Sequence, residues 1–172
     1  MESYLEKGKN AMSADYRQLT EFTRKLERLN NEQKDEFLES CCKELAARLL
    51  AKVVHRTPVG TGEYTDKNGV RHTTPGYVGG TLRRGWTAGQ NKNATAYANS
   101  LEVRKVGDSY IIDIINPVEY ASYVEYGHRD RSHTGWVPGK FMLTISEQEI
   151  RNSQQAILQK KLNKYIKQLF NE

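Results

Sequence analysis

The side chains in this sequence that could do chemistry are four histidines, two cysteines and a few carboxylates that the chain brings close together. His128 and His133 stand five apart in a loop, which is not the i,i+4 spacing that puts two imidazoles on one helix face for zinc. His55 and His72 are far from them and from each other. Cys41 and Cys42 are adjacent. Neighbouring cysteines rarely bridge, and in a helix they point about 100° apart, which also spoils them as a metal pair. They read as small core residues of a protein made in a reducing compartment. The segment Arg56-Thr-Pro-Val-Gly-Thr-Gly62 has the glycines of a backbone-approach turn. It lacks the Gly-Lys-Ser/Thr ending of a phosphate loop, and it follows a helix rather than a strand. None of the patterns GxSxG, HExxH, CxxC or GxGxxG occurs. The expectation is a protein with no catalytic residues, no cofactor and no metal.

One carboxylate pair depends on the elements that place it. Ser100–Val106 and Ser109–Ile115 flank Gly107-Asp108, and Gly at the first turn position suits a type II′ two-residue hairpin. That register sets Lys105 opposite Tyr110, Val103 opposite Ile112 and Leu101 opposite Ile114 on a mostly apolar face. The other face pairs Val106 with Ser109, Arg104 with Ile111, and Glu102 with Asp113. Two opposed carboxylates are unfavourable unless neutralised. They would serve as an acid/base dyad or half a cation site, or they sit in solvent balanced by Arg104, or they meet an Arg of another subunit. The structural reading weighs more, because no nucleophile or histidine falls beside them. Ile111 and Ile115 on this nominally polar face argue that it is partly covered, as at an oligomer interface.

The remaining elements follow from periodicity. Residues 1–14 carry little apolar content and read as an arm. From Asp15, Leu19, Phe22, Leu26 and Leu29 make an amphipathic stripe that Asn30-Asn31 breaks. A longer helix is expected from about Glu32 to Val54. Its stripe is Phe37, Leu38, Cys41, Leu45, Leu49 and Val53, widened by Cys42, Ala46 and Leu50, and Thr57-Pro58 ends it. Residues 63–80 are rich in turn formers. Asp66-Lys-Asn-Gly69 closes a small hairpin between Glu63–Thr65 and Val70–Thr73, either a flexible flap or an arm that reaches a neighbour. Thr81–Ala88 reads as a strand, with Leu82 and Trp86 on one face. Phe141–Ile145 is a fourth strand or the lead into the last helix. Ser146 and Glu149 form a capping box for that helix. Its apolar face is Ile150, Ile157, Leu158, Leu162, Tyr165, Ile166 and Leu169, opposite Lys160, Lys161, Lys164 and Lys167.

The fold class expected is therefore α+β: a long helix and a C-terminal helix packed on a small antiparallel sheet of about four strands, with an extra N-terminal helix and a flexible insertion loop. Residues 15–172 form one domain. Apolar content of 37% beside 27% charged residues is lean for a free-standing globule. The net charge of +5 is spread among 26 basic and 21 acidic residues without a block of like charge. A solvated, mildly basic surface accounts for it. No apolar run approaches the length of a membrane span, and the N-terminus has no apolar signal core.

The most unusual stretch is Asn116–Phe141, NPVEYASYVEYGHRDRSHTGWVPGKF. Tyr120, Tyr123 and Val124 fall on one face of about two helical turns, which cannot hold together alone. Gly127 breaks the segment, and a loop with Arg129, Arg131, His128 and His133 leads to Gly139-Lys140-Phe141. The aromatic face must be clamped by the body of the fold or by a neighbouring copy.

These pieces in order resemble a known family. A long helix runs into Arg-Thr-Pro-Val-Gly-Thr-Gly62. Leu82-Arg-Arg-Gly-Trp86, Asn116-Pro117 with Tyr120-Ala121, Val124-Glu-Tyr-Gly127 and Pro138-Gly-Lys-Phe141 follow before a terminal helix. The order is similar to the head–tail joining or tail-completion proteins of long-tailed bacteriophages, the gene-product-ten-like family, over about residues 15–170. Two departures are the insertion between Gly62 and Leu82 and Gly85 where serine is common. The resemblance implies a small α+β fold and a virion structural protein assembled in the host bacterial cytoplasm. It implies a ring of six copies at the neck, where the head or connector meets the tail tube. The ring's partners would be adjacent connector, neck and tail-tube proteins, with genomic DNA passing its channel. Candidate interface residues are then Tyr120, Tyr123, Glu125, Tyr126, Trp136 and Phe141, with Arg83, Arg84, Arg129 and Arg131 pairing with acids or facing the channel. Each aromatic has an equal claim to be intramolecular core. Two readings from other classes stand beside this one. The first is a nucleic-acid-binding module using Arg83, Arg84, Arg104, Lys105 and the C-terminal lysines. The second is a cryptic hydrolase using Glu102 and Asp113.

Overall fold

The computed structural model describes residues 31–130 and 132–170; of Leu169 and Phe170 it describes the backbone only. The arm at 1–14, the stripe from Asp15 to Leu29 and Arg131 lie outside the described residues. Residues up to Leu38 and residues from Glu39 onward form separate compact units. The described part of the first is the opening of helix α1 (Asn31–Arg56).

The second unit begins with the rest of α1 and continues through hairpin β1 (Glu63–Thr65) and β2 (Arg71–Thr73). Two short helices follow, α2 (Thr81–Gly85) and α3 (Ala94–Ser100). Then come hairpin β3 (Val103–Val106) and β4 (Ser109–Ile112), helix α4 (Ala121–Tyr126), ribbon β5 (Gly127–Arg129) and β6 (Trp136–Pro138), and helix α5 (Met142–Phe170). The fold is α+β, with the long helix and the C-terminal helix as expected. The strands do not join into one sheet. Among the described residues they form three separate antiparallel pairs.

Helix α1 ends where the Thr57-Pro58 step requires. Thr57 donates both its backbone N–H and its hydroxyl to the Val53 carbonyl, at 2.9 and 2.6 Å. The buried face is Cys41, Ala46, Ala47, Leu50 and Val53. It is rotated from the expected stripe: Leu45 and Leu49 are half-buried and Leu38 is exposed. Small side chains at Ala46 and Ala47 let neighbouring elements come close, and the core gathers there with Leu82, Trp86, Tyr97, Ala98 and Met142.

Thr81–Gly85 is a helix, not the expected strand. Leu82 and Trp86 are four apart, a spacing that places them together on a helix as well as on a strand. Two anchors favour the helix. The Arg84 N–H bonds the Gly80 carbonyl at 2.9 Å, and Gly80 sits at φ 89°, where only a residue without Cβ is at ease. The helix over Ala94–Ser100 was not anticipated. Its start is marked by Asn93, whose side chain accepts the Ala96 N–H at 2.8 Å as an N-cap.

The β3–β4 register is the expected one, with Val103 opposite Ile112, Arg104 opposite Ile111, Lys105 opposite Tyr110 and Val106 opposite Ser109. Gly107 takes φ 60° and Asp108 is not in the left-handed region, as a II′ turn demands. Ile112, Leu101 and Ile114 are partly buried against the core. The ladder stops before the outer pair, so Glu102 and Asp113 lie beyond it.

Helix α5 starts at Met142, so Phe141–Ile145 is largely its first turn and no fourth strand of a sheet. The expected capping box is displaced into the helix. Ser146 is buried and donates to the Met142 carbonyl at 2.6 Å, while accepting Arg56 Nη1 at 2.7 Å. Glu149 is bound across to α1, by Lys52 and by Arg56 at 2.7 Å each. Lys161 donates to the Ser40 carbonyl at 2.6 Å, so α5 runs antiparallel to α1.

Candidate functional site

The chemical candidates separate in space. His55 and His133 are exposed. His72 sits in the β1–β2 hairpin, 2.9 Å from Asp66 Oδ2 and stacked on Tyr64. His128 packs edge-on to Tyr123. Burial raises the thiols of Cys41 and Cys42 above the ordinary cysteine value, which keeps both protonated and poor as nucleophiles. Glu102 and Asp113 are exposed, and Arg104 lies 2.6 Å from Asp113 Oδ2. No group of three or more His, Cys, Asp or Glu among the described residues is placed to hold a metal.

The motif residues prove to be joints. Arg83 donates through Nε and Nη2 to the Thr57 carbonyl at 3.0 and 2.6 Å, closing the C-terminus of α1. Trp86 Nε1 donates to Thr57 Oγ1 at 2.7 Å. The Asn116 amide donates to the Leu82 carbonyl at 2.8 Å, and its oxygen accepts the Val118 N–H at 3.1 Å. A Cβ on Gly85 would come to 2.2 Å from that same Asn116 oxygen, so Gly85 is where α2 and this loop touch. Arg84 reaches only the Gly79 carbonyl and Thr81, and is exposed.

The stretch after Asn116 divides into an inward and an outward face. On α4, Ala121, Val124 and Glu125 turn inward. Glu125 is 5% exposed, and its carboxylate accepts the Leu143 and Thr144 N–H groups at 3.0 and 2.9 Å and the Thr144 hydroxyl at 2.8 Å. It caps α5, where unpaired N–H groups and the helix dipole both favour a carboxylate. Residues 139–141 lie against the α4–β5 junction. The N–H groups of Lys140 and Phe141 bond the Val124 and Glu125 carbonyls at 2.8 and 3.0 Å. Gly127 and Gly139 face one another so closely that a Cβ on either would fall 2.8 Å from the other's nitrogen.

The outward face is aromatic. Tyr120, Tyr123 and Tyr126 recur every third residue on the other side of α4, and Trp136 and Phe141 follow from the ribbon and its exit. Their exposure runs from 43% at Phe141 to 61% at Tyr126 and Trp136, which takes them out of the core. Val124, grouped with the tyrosines by spacing, is instead the residue that anchors α4. The β5–β6 pair sets Arg129 opposite Trp136. Its tip is closed by Asp130, whose carboxylate accepts the Ser132 hydroxyl at 2.7 Å; this bond, with the backbone N–H groups around it, holds the acid below the ordinary aspartate value. Phe141 takes φ 47°, a left-handed conformation costly for a bulky side chain. Beside Tyr126 a cleft of about 230 Å³ opens, lined by Trp86, Ile114, Ile115, Met142 and Leu143. Tyr120 borders another of about 320 Å³, with Val59, Tyr77 and Leu82. The structure thus brings the five aromatics and Arg129 to one region, turns Glu125 inward, and uses Arg83 and Arg84 on backbone carbonyls near α2.

No curated protein and no solved structure matches the chain. A family model described as "Bacteriophage HK97-gp10, putative tail-component" matches residues 20–127. That match spans more than half of the 172 residues, and the chain belongs to the HK97-gp10-like family of phage tail components.

Proposed function

We propose that this protein is a structural subunit of a phage or phage-like tail that forms a ring at the head–tail interface, completing the tail or joining it to the head. The observation that carries this reading is the aromatic surface of Tyr120, Tyr123, Tyr126, Trp136 and Phe141, each roughly half exposed. A buried aromatic contributes about 150–250 Å². Five at half exposure offer roughly 500 Å², much of the about 800 Å² per partner that a stable interface uses. An isolated chain has no reason to keep so much aromatic surface in water. Family membership supplies the context, since a tail component works among other virion proteins. The role is mechanical, with no catalytic residue. The β1–β2 hairpin at 63–80 reaches toward a neighbouring protein, and the ring order implied by the resemblance is six.

The test is the solution mass by light scattering, alone and with the cognate connector and tail-tube proteins. A defined ring, or a monomer that assembles on those partners, is expected, with Trp136→Ala and Tyr126→Ala weakening it. A strict monomer that ignores those proteins and binds DNA in low salt would overturn the reading.

A further inference from the structure

We propose that Tyr77 clasps the inserted hairpin to the body of the fold, so that residues 63–80 form a stiff arm of fixed direction. The clasp stands on contacts within one chain and does not rest on the ring reading. To that reading it adds an arm that a neighbour meets already ordered, without the cost of fixing a loop on contact.

The turn formers between Gly62 and Leu82 suggest a loose insertion, but its two stems are pinned. Thr74-Pro-Gly-Tyr77 is a type II turn. The Tyr77 N–H bonds the Thr74 carbonyl at 3.2 Å, and Gly76 takes φ 73° at the third position. The turn sends Tyr77 back across the entry stem, where its ring lies on Gly60 and Gly62. A Cβ on Gly62 would come to 2.7 Å from ring atoms Cγ and Cδ1, and one on Gly60 to 2.5 Å from the hydroxyl oxygen. The space that these glycines leave open is therefore filled by a side chain of the same chain. The ring is half exposed, so it closes the stems from outside and is no part of the core. Beneath it the stems touch directly. The Thr74 N–H bonds the Gly62 carbonyl at 2.9 Å, and a Cβ on Gly79 would strike the Gly60 carbonyl and Val59.

The stems are tied in turn to the body. Arg84 donates to the Gly79 carbonyl at 3.0 Å, and Arg83 on the same helix holds the Thr57 carbonyl, so exit and entry both meet α2. Asp66 closes the far end, accepting the Asn68 and Val70 N–H groups at 2.9 Å each. A two-stranded hairpin is marginal alone. Here its tip is fixed by its own turn and its base by the body, with the Tyr77 ring lying across that base.

Amide hydrogen exchange by NMR, on the full chain alone, tests the clasp. The Thr74 N–H is freed when the stems part, while the Thr57 N–H, bonded to Val53, reports the body. In the parent, Thr74 should exchange at least about a hundredfold more slowly than an unstructured amide. Tyr77→Ala should speed it about tenfold or more and leave Thr57 within about threefold. Gly60→Ala should speed Thr74 comparably by pushing the ring off its seat. Adding Tyr77→Phe to Gly60→Ala should return Thr74 to within about threefold of the parent. Without the hydroxyl, the nearest ring atom lies 3.4 Å from that Cβ, an ordinary contact. A Thr74 amide that is unprotected in the parent, unchanged in Tyr77→Ala or Gly60→Ala, or accelerated together with Thr57 would overturn the clasp. So would a double variant no slower than Gly60→Ala. Assembly plays no part in this readout, so the clasp and the ring reading can fail separately.

Discussion

Glu125 offers the sharpest test of how this surface is built. Its carboxylate accepts three hydrogen bonds from the first turn of α5, and only 5% of the residue is exposed. In Glu125→Ala the cap is lost, at about 1 kcal/mol. The Leu143 N–H, half-buried, is left without an acceptor, at about 1–2 kcal/mol, and the exposed Thr144 N–H turns to water at little cost. The whole comes to about 2–3 kcal/mol, or a melting temperature lower by roughly 8 °C for a chain of this size. Glu125→Gln keeps a carbonyl for one N–H and loses the charge at the helix terminus, so it should cost about 1 kcal/mol. Urea unfolding of the three proteins, with equal m-values, measures both differences. If Glu125→Ala unfolds within about 0.5 kcal/mol of the parent yet assembles poorly, the carboxylate serves a partner and the capping argument is wrong.

Phe141→Gly should leave the monomer as stable as the parent or up to about 1 kcal/mol more stable, because it relieves a left-handed φ; assembly should weaken, and melting curves beside light scattering separate the two effects. Gly85→Ala should destabilise by about 2–3 kcal/mol, since its Cβ would meet Asn116 and Val118 at 2.2 and 2.8 Å, measured by urea unfolding. Glu149 is held below the ordinary glutamate value, first by Lys52 and then by Arg56. A carboxyl lowered by folding adds stability above its ordinary value of 4.5, and that stability is lost as pH falls through the folded value. The melting temperatures of the parent and Glu149→Gln should therefore differ at neutral pH and converge as the pH falls below 4.5 and through the lowered folded value.

Periodicity was legible wherever one chemistry dominated. Alternation around Gly107-Asp108 fixed the hairpin and its pairs, and Thr57-Pro58 fixed the end of α1. Leu82 and Trp86, four apart, satisfied both helix and strand; Gly80 in the left-handed region favours the helix, and Arg83 bonding Thr57, 26 residues away, holds it in place. Ser146 and Glu149 had the spacing of a capping box, but the cap comes from Glu125, 18 residues before Leu143. Contacts at such separations leave no mark in local pattern. The tyrosines show the same limit: spacing alone grouped them with Val124, while only packing showed that Val124 points in and they point out.

The antiparallel pairing of α1 with α5 carries a consequence for folding rate and for tolerance of insertions. Arg56 and Ser146 are 90 residues apart, so the pairing closes a loop that costs about 4 kcal/mol in chain entropy before any contact repays it. Docking of the last helix should be the slow step of folding. The cost grows only with the logarithm of loop length, so residues 63–80, within that loop, add about 0.2 kcal/mol. The hairpin also closes on itself, through the Thr74 N–H to the Gly62 carbonyl at 2.9 Å and the turn bonds of Asp66. An arm at this position can be lengthened, shortened or exchanged between relatives with little effect on the body that bears it.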